Sequence, residues 1–532
     1  MQPLRELWGR LRLSPSAVPE IFTPSAVSGI TVLFLLGLFA SNVYRAASQS
    51  VTYDEAFTYL AFLSGSPLRV FTEYTANNHV LFSLLAKFSI GLFGLSELTL
   101  RLPTVLSGIV YFVSVFLLCR LLFGYGPLFL ITVAALSLNP FVLDLLSAAR
   151  GYGLALAFLL VSLYQVSITL RGGERSNNHW HRLLASLALA GCASSNLAFA
   201  TVCVALGCGV LLTEFVCERQ GFHVGYAKNW FKWLCLPGAL VATAVLIVPV
   251  LHAQPEHFSF GARTLSRTLT SLLEASLWHN AGAWPVSAPE LPPDPIVSSI
   301  AWFIVAPILF LSAGVAWWSV KNSASGGGQR TLDFIERFLL LITLTLAFTL
   351  VLLVCGHFGL GVPYPFSRTG LYFIPLVVLC VSTLIRTLSR KSFPFGVFVA
   401  KGLAVLLVVL IVRFGFEFNV TYYYEWRYDA GTRTIFDRIV GSEEAQSLSR
   451  LRVASQRWLY SPTLNFYRVL RGKTRAVLPI DDGWDSDSKN YDFFVVAPGP
   501  DLDRAQHLAQ IVHTDPVSGT VLLARRANEG GP

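Results

Sequence analysis

Long apolar runs separated by short polar segments dominate the first part of the chain, up to about residue 417. A transmembrane helix needs about 20 consecutive, mainly apolar residues. Hydrophobic residues make up 54% of the 532-residue chain, charged residues only 13%, and the mean hydropathy of +0.57 excludes an ordinary soluble domain. The pattern predicts a polytopic α-helical membrane protein with about eleven transmembrane helices, near residues 26–46, 100–119, 126–146, 153–170, 183–196, 197–216, 233–251, 298–318, 338–356, 369–387 and 397–416.

The distribution of basic residues predicts the orientation of these helices. The net charge of +9 does not indicate nucleic-acid binding, because the Lys and Arg residues lie in short segments between apolar runs and form no stripe or patch. The apolar segment 79–94 is short and contains Lys87. If this segment lies at the membrane interface, most basic residues of the short loops fall on the same side as the N-terminus, as the positive-inside rule requires. We therefore predict an interfacial helix there.

This orientation divides the chain into a cytoplasmic tail, a membrane domain and an extracytoplasmic domain. The predicted boundaries are 1–25 for the tail, 26–417 for the transmembrane domain and 418–532 for the extracytoplasmic domain. Within the membrane domain, residues 48–99 form the first outer loop with its interfacial helices, and residues 252–297 form a second outer loop.

The composition after residue 418 is that of a small soluble α/β domain. The segments "AGTRTIFDRIVG" and "RAQHLAQIVH" are predicted to be helices, whereas "RLRVASQ", "TRAVLPI", "YDFFVVAP" and "GTVLLARR" are predicted to be short buried strands. No phosphate-binding glycine loop opens any of the predicted helices.

Two adjacent carboxylates, Asp54 and Glu55, lie in the first outer loop, in a chain that contains few acids. At the centre of a bilayer each would cost roughly 2.5 to 3.5 kcal/mol, so both must face water or a protein cavity. An ionised carboxylate accepts a proton from a hydroxyl group and binds hard cations. The pair is therefore a candidate catalytic base and a candidate site for a divalent metal ion. The alternative is a solvated start of a loop.

Two arginines, Arg150 and Arg368, are predicted on the same outer side, each at the start of a transmembrane helix. Guanidinium groups bind phosphates through two parallel hydrogen bonds, so the pair is a candidate site for an anionic lipid headgroup. Snorkelling of each side chain to the interface is the alternative. Polar and aromatic residues near these segments are candidate substrate-binding residues: Asn78, His79, Tyr152 and Tyr372.

Four segments support a resemblance to a known family. They are "TYDEAFTYLAF", "NNHVLFSLLAKFSIGLFGLSELTLRLPTVLSG", "SAARGYGLALAFLLVSLY" and "SRTGLYFIPLVVL". In sequence and order they resemble the C-type glycosyltransferases related to protein O-mannosyltransferases and to the lipid A aminoarabinose transferase. The resemblance implies inverting transfer from a polyprenyl-phosphate sugar, with Asp54 and Glu55 at the active site and Arg368 and Arg150 near the donor phosphate. It also implies interfacial helices after the first outer loop. The chain has "NNHVLF" where relatives often have "HPPL".

The resulting hypothesis is a membrane glycosyltransferase that moves a sugar to an acceptor hydroxyl on the extracytoplasmic side, with Asp54 as the base. The expected partners are the lipid bilayer, a polyprenyl-phosphate sugar donor and a lipid, polysaccharide or protein acceptor, without nucleic acid. No nucleotide is required, and any divalent ion (Mg²⁺, Mn²⁺ or Ca²⁺) would be held by Asp54 and Glu55. A bacterial inner membrane is the predicted location. Two other classes stay open: a transporter or flippase of a lipid-linked sugar, and a non-catalytic membrane scaffold.

Overall fold

The computed structural model describes most of the chain. The described residues are 23–73, 75–172, 179–217, 224–280, 294–325, 332–390, 395–442, 450–484 and 491–525. Nearly all of the predicted cytoplasmic tail, residues 1–22, and residues 281–293 of the predicted second outer loop lie outside them.

Nine helices within the described residues are long and apolar enough to cross a membrane, and each coincides with a predicted span. They carry the large apolar side chains expected of a lipid-facing surface, and two of them are only 17% buried over their most apolar part. The chain is therefore a multi-pass α-helical membrane protein. The nine helices are Pro24–Ser48, Glu97–Phe123, Gly151–Gly172, Leu197–Cys217, Ala227–Leu251, Pro295–Asn322, Phe334–Leu360, Phe373–Arg390 and Gly396–Glu417.

The other two predicted spans are shorter helices. The predicted span 126–146 divides into Pro127–Ser137 and Pro140–Leu145. It divides because the side-chain oxygen of Asn139 accepts hydrogen bonds from the backbone N–H groups of the next helix at 3.0 and 3.1 Å, which caps that helix at Pro140. The predicted span 183–196 is the 17-residue helix His179–Ser195.

The remaining elements of the described membrane part are short. The predicted interfacial segment 79–94 forms a 14-residue helix, about 21 Å long, which is too short for a hydrocarbon core of about 30 Å. The short elements are the α-helices Tyr53–Thr58, Arg69–Thr72, Val80–Phe93 and Leu265–Leu277, the π-helical turn Tyr59–Leu63, and the 3₁₀ turns Pro255–Phe258, Ser367–Gly370 and Tyr424–Asp429.

A buried ion pair fixes the start of the first outer loop against the helix bundle. The carboxylate of Glu55 accepts two hydrogen bonds from the guanidinium of Arg101, at 2.8 and 2.7 Å, and both side chains are 0% exposed. The Glu55 carboxylate also accepts from the backbone N–H groups of Thr52 and Ala149. Arg101 donates in addition to three backbone carbonyls of residues 46–50. Both charges are therefore fully paired, as buried charges must be.

The C-terminal region forms a five-stranded mixed sheet with helices packed on it. The strands are β1 (Val453–Ser455), β2 (Asp481–Asp482), β3 (Phe493–Val496), β4 (Ala509–Thr514) and β5 (Val521–Arg525), in the order β2-β1-β3-β5-β4. Strand β1 is parallel to β2 and β3, and β5 is antiparallel to β3 and β4. The helices are Thr432–Gly441, Ser461–Leu470 and Pro500–Gln506.

The predicted α/β class is confirmed, but two segments differ from the prediction. The segment "RAQHLAQIVH" is helical only to Gln506, and its second half belongs to the edge strand β4. The β-branched residues of that half favour an extended backbone. The segment "TRAVLPI" makes only an isolated bridge between Val477 and Leu451, and the regular pairing begins just after it at β2.

One apolar cluster joins the first outer loop to the C-terminal domain. Val51, Tyr59 and Phe62 share it with Ile435 and Phe466. The Tyr59 ring meets the Phe466 ring edge-on at 5.3 Å between centroids. The helix Tyr53–Thr58 is therefore held between the membrane bundle on one side and the C-terminal domain on the other.

We predict that Glu55→Gln destabilises the folded protein, by about 3 kcal/mol, because it leaves the buried Arg101 guanidinium without its counter-charge. Thermal unfolding in detergent should show a clearly lower midpoint than for the unchanged protein. The exposed Asp437, paired with Arg471, offers a matched control, because its replacement by Asn removes an ion pair at the surface. Equal midpoints for the two variants would contradict the structural role of Glu55.

Candidate active site

A cavity of about 490 Å³ lies where the first outer loop meets the bundle. Asp54, His79, Arg150, Tyr152 and Arg368 all line it, although they come from widely separated parts of the sequence. The sequence-predicted acid and both predicted arginines are thus brought together in one place. Other lining residues include Asn77, Asn78, Asn196, His257, Phe260, Tyr364 and Thr369.

Asp54 lies between the two guanidinium groups. Its Oδ2 atom is 3.0 Å from Nη2 of Arg368 and 3.7 Å from Nη2 of Arg150. The residue is the second of the helix Tyr53–Thr58, whose N-terminus is closed by a capping box between Thr52 and Glu55. Asp54 is only 6% exposed, so its charge interacts with the arginines through protein more than through water.

Asp429, a buried acid of the C-terminal region, binds the N-terminus of the helix Tyr53–Thr58. Oδ2 of Asp429 accepts a hydrogen bond from the backbone N–H of Tyr53 at 2.6 Å. Its Oδ1 atom accepts from the hydroxyls of Thr432 and Thr463 at 3.2 and 3.1 Å. Burial raises the pKa of Asp429 well above its ordinary value, although these hydrogen bonds oppose the shift. The side chain of Asp429 therefore fixes the backbone at Tyr53, the residue before Asp54.

Arg150 is held by polar groups of the first outer loop. It donates to the Thr58 hydroxyl at 3.1 Å and to the side-chain oxygen of Asn77 at 2.9 Å. The next residue, Gly151, starts a transmembrane helix in close contact with its surroundings, since a Cβ there would overlap the carbonyl oxygen of Ser195 and lie 2.9 Å from Cβ of His79. The glycine therefore allows the Arg150 backbone to approach the wall of the cavity.

Arg368 is held from several directions. Its Nη1 atom donates to Glu425, and its backbone N–H donates to the same carboxylate at 3.2 Å. The rings of Phe260 and Trp426 lie 5.1 and 5.2 Å from the guanidinium carbon, within cation–π range. Burial lowers the pKa of Arg368, but Glu425 and Asp54 outweigh this effect and raise it well above its ordinary value. The group is therefore charged at any physiological pH.

Backbone strain occurs next to Arg368. Ser367 has a φ of 50°, in the left-handed region that non-glycine residues rarely adopt. Its backbone N–H donates to the Ser271 hydroxyl at 2.9 Å, which ties this strained residue to the helix Leu265–Leu277. Strain of this kind persists only where the surrounding structure over-determines the conformation.

The predicted substrate-binding residues occupy different environments. Burial, followed by the charges of Arg150 and Arg368, holds the pKa of His79 well below its ordinary value, so its imidazole is neutral at pH 7. Its ring packs edge-to-face with the ring of Tyr152, with the two centroids 5.2 Å apart. Asn78 lies at the wall, but its amide donates to the carbonyls of residues 70 and 73. Tyr372 is not one of the described residues that line the cavity, and its ring packs against Phe199 at 5.2 Å.

Glu55 points away from the cavity, which bears on the predicted metal site. Its two oxygens accept four hydrogen bonds, two of them from Arg101. The neighbouring carboxylate of Asp54 is already between two cationic groups. A divalent cation needs several oxygen ligands and is repelled by guanidinium groups, so this pair of acids does not fit a shared metal ion. Within the described ranges, no group of three or more His, Cys, Asp or Glu side chains could hold a metal ion.

Two of the side chains that organise the cavity, Glu425 and Trp426, are not among the residues expected from the sequence, whereas Asn77 lies in the polar segment before the interfacial helix. Glu425 and Trp426 contact Arg368, and Asn77 contacts Arg150. The segment "YYYEWRYD" directly after the last transmembrane helix did carry a signal, since it concentrates aromatic and acidic residues near the predicted membrane surface. Its partners are far away in sequence, so only the packed structure identifies them.

The fold and the cavity together define a multi-pass helical membrane protein with a charged cavity and a small C-terminal α/β domain. No family model matches the chain, and no curated protein matches it in sequence.

Several solved structures are similar in fold. ArnT from Cupriavidus metallidurans bound to undecaprenyl phosphate has 16% identity and a TM-score of 0.45, with 95% of this chain and 99% of that chain covered. The archaeal oligosaccharyltransferase AglB from Archaeoglobus fulgidus, in complex with an inhibitory peptide and a dolichol-phosphate, has 11% identity and a TM-score of 0.41, over 94% and 75%. The arabinosyltransferase EmbB from Mycobacterium smegmatis has 14% identity and a TM-score of 0.35, over 88% and 45%.

The raised pKa of Asp429 predicts a pH-dependent stability difference between the unchanged protein and D429N. Between the ordinary carboxyl pKa, about 4, and the raised folded value, the folded protein binds a proton that the unfolded chain has released. The contribution of Asp429 to stability therefore falls as pH rises through this range. The D429N variant cannot titrate and lacks this fall.

Unfolding midpoints of both proteins in detergent from pH 4 to pH 8 provide the measurement. The midpoint of D429N, relative to that of the unchanged protein, should rise with pH. A difference that stays constant over the whole range would contradict the raised pKa.

Proposed function

We propose that the chain is a membrane glycosyltransferase that transfers a sugar from a polyprenyl-phosphate donor to an acceptor hydroxyl, with inversion, on the extracytoplasmic side. One observation carries the proposal: a single cavity contains the Asp54 carboxylate between the guanidinium groups of Arg150 and Arg368. A base beside two anion-binding groups is the set that this reaction requires.

The donor phosphate binds at the edge of the cavity that Arg368 and Arg150 form. Both arginines line the cavity, so their positive charges face the space that a ligand would occupy. In the reaction the bond between the sugar C1 and the phosphate oxygen breaks, and its electron pair stays on the phosphate. The two arginines stabilise this developing charge, in a site with little access to water.

Asp54 is the base for the acceptor. The acceptor hydroxyl oxygen forms the new bond to C1 on the face opposite the phosphate, and its proton passes to the Asp54 carboxylate. We assign this role to Asp54 alone, because Glu55 is engaged by Arg101 away from the cavity. Neutral His79 and Tyr152 lie at the cavity wall, where they can hydrogen-bond the hydroxyls of the sugar.

The proposed setting follows the predicted orientation. The N-terminal tail lies in the cytoplasm, and the cavity and the domain 418–532 lie on the outer side of a bacterial inner membrane. The acceptor is a hydroxyl of a lipid, a polysaccharide or a protein. No step in this scheme uses a nucleotide or a metal ion.

We expect Asp54→Asn to abolish sugar transfer while the protein remains folded, because the amide has the same shape but cannot accept the proton. The measurement is transfer from membrane-extracted polyprenyl-phosphate sugars by the purified protein, together with the unfolding midpoint. D437N is the matched control, since Asp437 is an exposed acid paired with Arg471, and it should keep full transfer. Near-normal transfer by D54N would refute the assignment of the base.

We also expect Arg368→Gln to reduce the amount of polyprenyl phosphate that co-purifies with the protein by about tenfold, because it removes a charge that faces the cavity. Mass spectrometry of the extracted lipids gives the amount directly. R471Q, which removes an arginine paired with Asp437 at the surface of the C-terminal domain, should leave it unchanged. Equal lipid in R368Q and R471Q would exclude Arg368 from phosphate binding.

A further inference from the structure

Arg368 contacts two carboxylates, of which only one lines the cavity. Asp54 contacts its Nη2 atom at 3.0 Å from the cavity side. Glu425 binds its Nη1 atom and accepts from its backbone N–H at 3.2 Å, and Glu425 is not among the described residues that line the cavity. Glu425 is 8% exposed, so water screens its charge weakly.

The segment that carries Glu425 is fixed on both sides. The carbonyl of Tyr422 accepts a hydrogen bond from Arg45 at 3.2 Å, and the backbone N–H of Tyr424 donates to Asp144 at 2.7 Å. Downstream, Asp429 binds the backbone N–H of Tyr53. The Glu425 carboxylate therefore has little freedom to move when a ligand enters, whereas Asp54 contacts Arg368 from inside the cavity.

The charges around the cavity balance. Arg150 and Arg368 contribute two positive charges, Asp54 and Glu425 contribute two negative charges, and His79 is neutral. If one buried carboxylate is neutralised, the cavity gains a net positive charge and binds anions more tightly.

Resting on the proposed function, we propose that Glu425 is a positioning residue that orients Arg368 and limits how tightly the site holds the lipid phosphate. The donor is a phosphodiester with one negative charge. After transfer, the leaving polyprenyl phosphate carries between one and two negative charges near neutral pH, so unopposed arginines would hold the product more tightly than the donor. The fixed charge of Glu425 opposes this preference and favours release of the product.

The test measures binding of undecaprenyl phosphate to the full-length purified protein and its variants. E425Q keeps the size of the side chain and removes its charge, so we expect about tenfold tighter binding. A side chain that only supports the fold would instead give weaker or unchanged binding. E417Q is the matched control, because Glu417 is a similarly buried carboxylate paired with Arg413, and Glu417 is not one of the described residues that line the cavity. It should leave the affinity unchanged.

The E425Q substitution in the R368A variant tests whether Glu425 acts through Arg368. In R368A the E425Q substitution should tighten binding clearly less, because the guanidinium that Glu425 opposes is absent. If E425Q fails to fold, E425D provides the test. Its carboxylate lies one methylene farther from Arg368, so its affinity should lie between that of the unchanged protein and the affinity expected for E425Q. E425D is expected to bind tighter than the unchanged protein, and equal or weaker binding would overturn the inference.

The outcomes separate this inference from the proposed function. If the unchanged protein binds undecaprenyl phosphate and E425Q binds it equally or more weakly, the role of Glu425 is wrong and the proposed function stands. If the same gain persists in R368A, Glu425 does not act through Arg368. If neither the unchanged protein nor any variant binds the lipid, both proposals fail.

Discussion

The buried pair of Glu55 and Arg101 is the interaction on which the geometry of the cavity depends. It attaches the helix that carries Asp54 to the transmembrane helix Glu97–Phe123, and through Ala149 it also reaches the backbone next to Arg150. Removing one partner from such a pair leaves an uncompensated charge, which costs about 3 to 5 kcal/mol. The pair therefore fixes, at one point, the relative positions of the proposed base and one of the proposed phosphate-binding arginines.

The C-terminal domain completes the same site from the other side. Asp429 and Glu425 lie within five residues of each other, yet one binds the backbone beside Asp54 and the other binds Arg368. The apolar cluster around Phe466 joins this domain to the first outer loop. The domain is thus part of the construction of the cavity, and its folding and the positions of the cavity side chains are coupled.

The sequence predicted much of this arrangement, for identifiable physical reasons. Apolar length alone predicted the nine long helices, and the predicted loop topology brought Asp54, Arg150 and Arg368 to one side. Topology alone could not show that only one of the adjacent acids, Asp54 and Glu55, faces the cavity. Successive residues of an α-helix point about 100° apart, so when Asp54 faces the cavity Glu55 must face elsewhere, and only the packing of Arg101 shows where.

The remaining contacts depend on packing that no local pattern encodes. Glu425 is 57 residues from Arg368, and Asn77 is 73 residues from Arg150. A buried guanidinium must be paired with acceptors or a counter-charge, and each of these contacts provides such a partner. The sequence therefore indicates that partners must exist for these arginines, while the fold determines which ones they are.

That requirement also explains why a site proposed to bind an anion contains so much negative charge. Two buried arginines without counter-charges would destabilise the folded protein before any ligand arrived, so carboxylates must accompany them. Asp54 contacts both guanidinium groups from the cavity, whereas Glu425 contacts only Arg368, through Nη1 and the backbone N–H. In the proposed reaction, an entering phosphate would therefore replace the electrostatic role of Asp54 and release that carboxylate for the acceptor hydroxyl, while Glu425 would keep Arg368 in place.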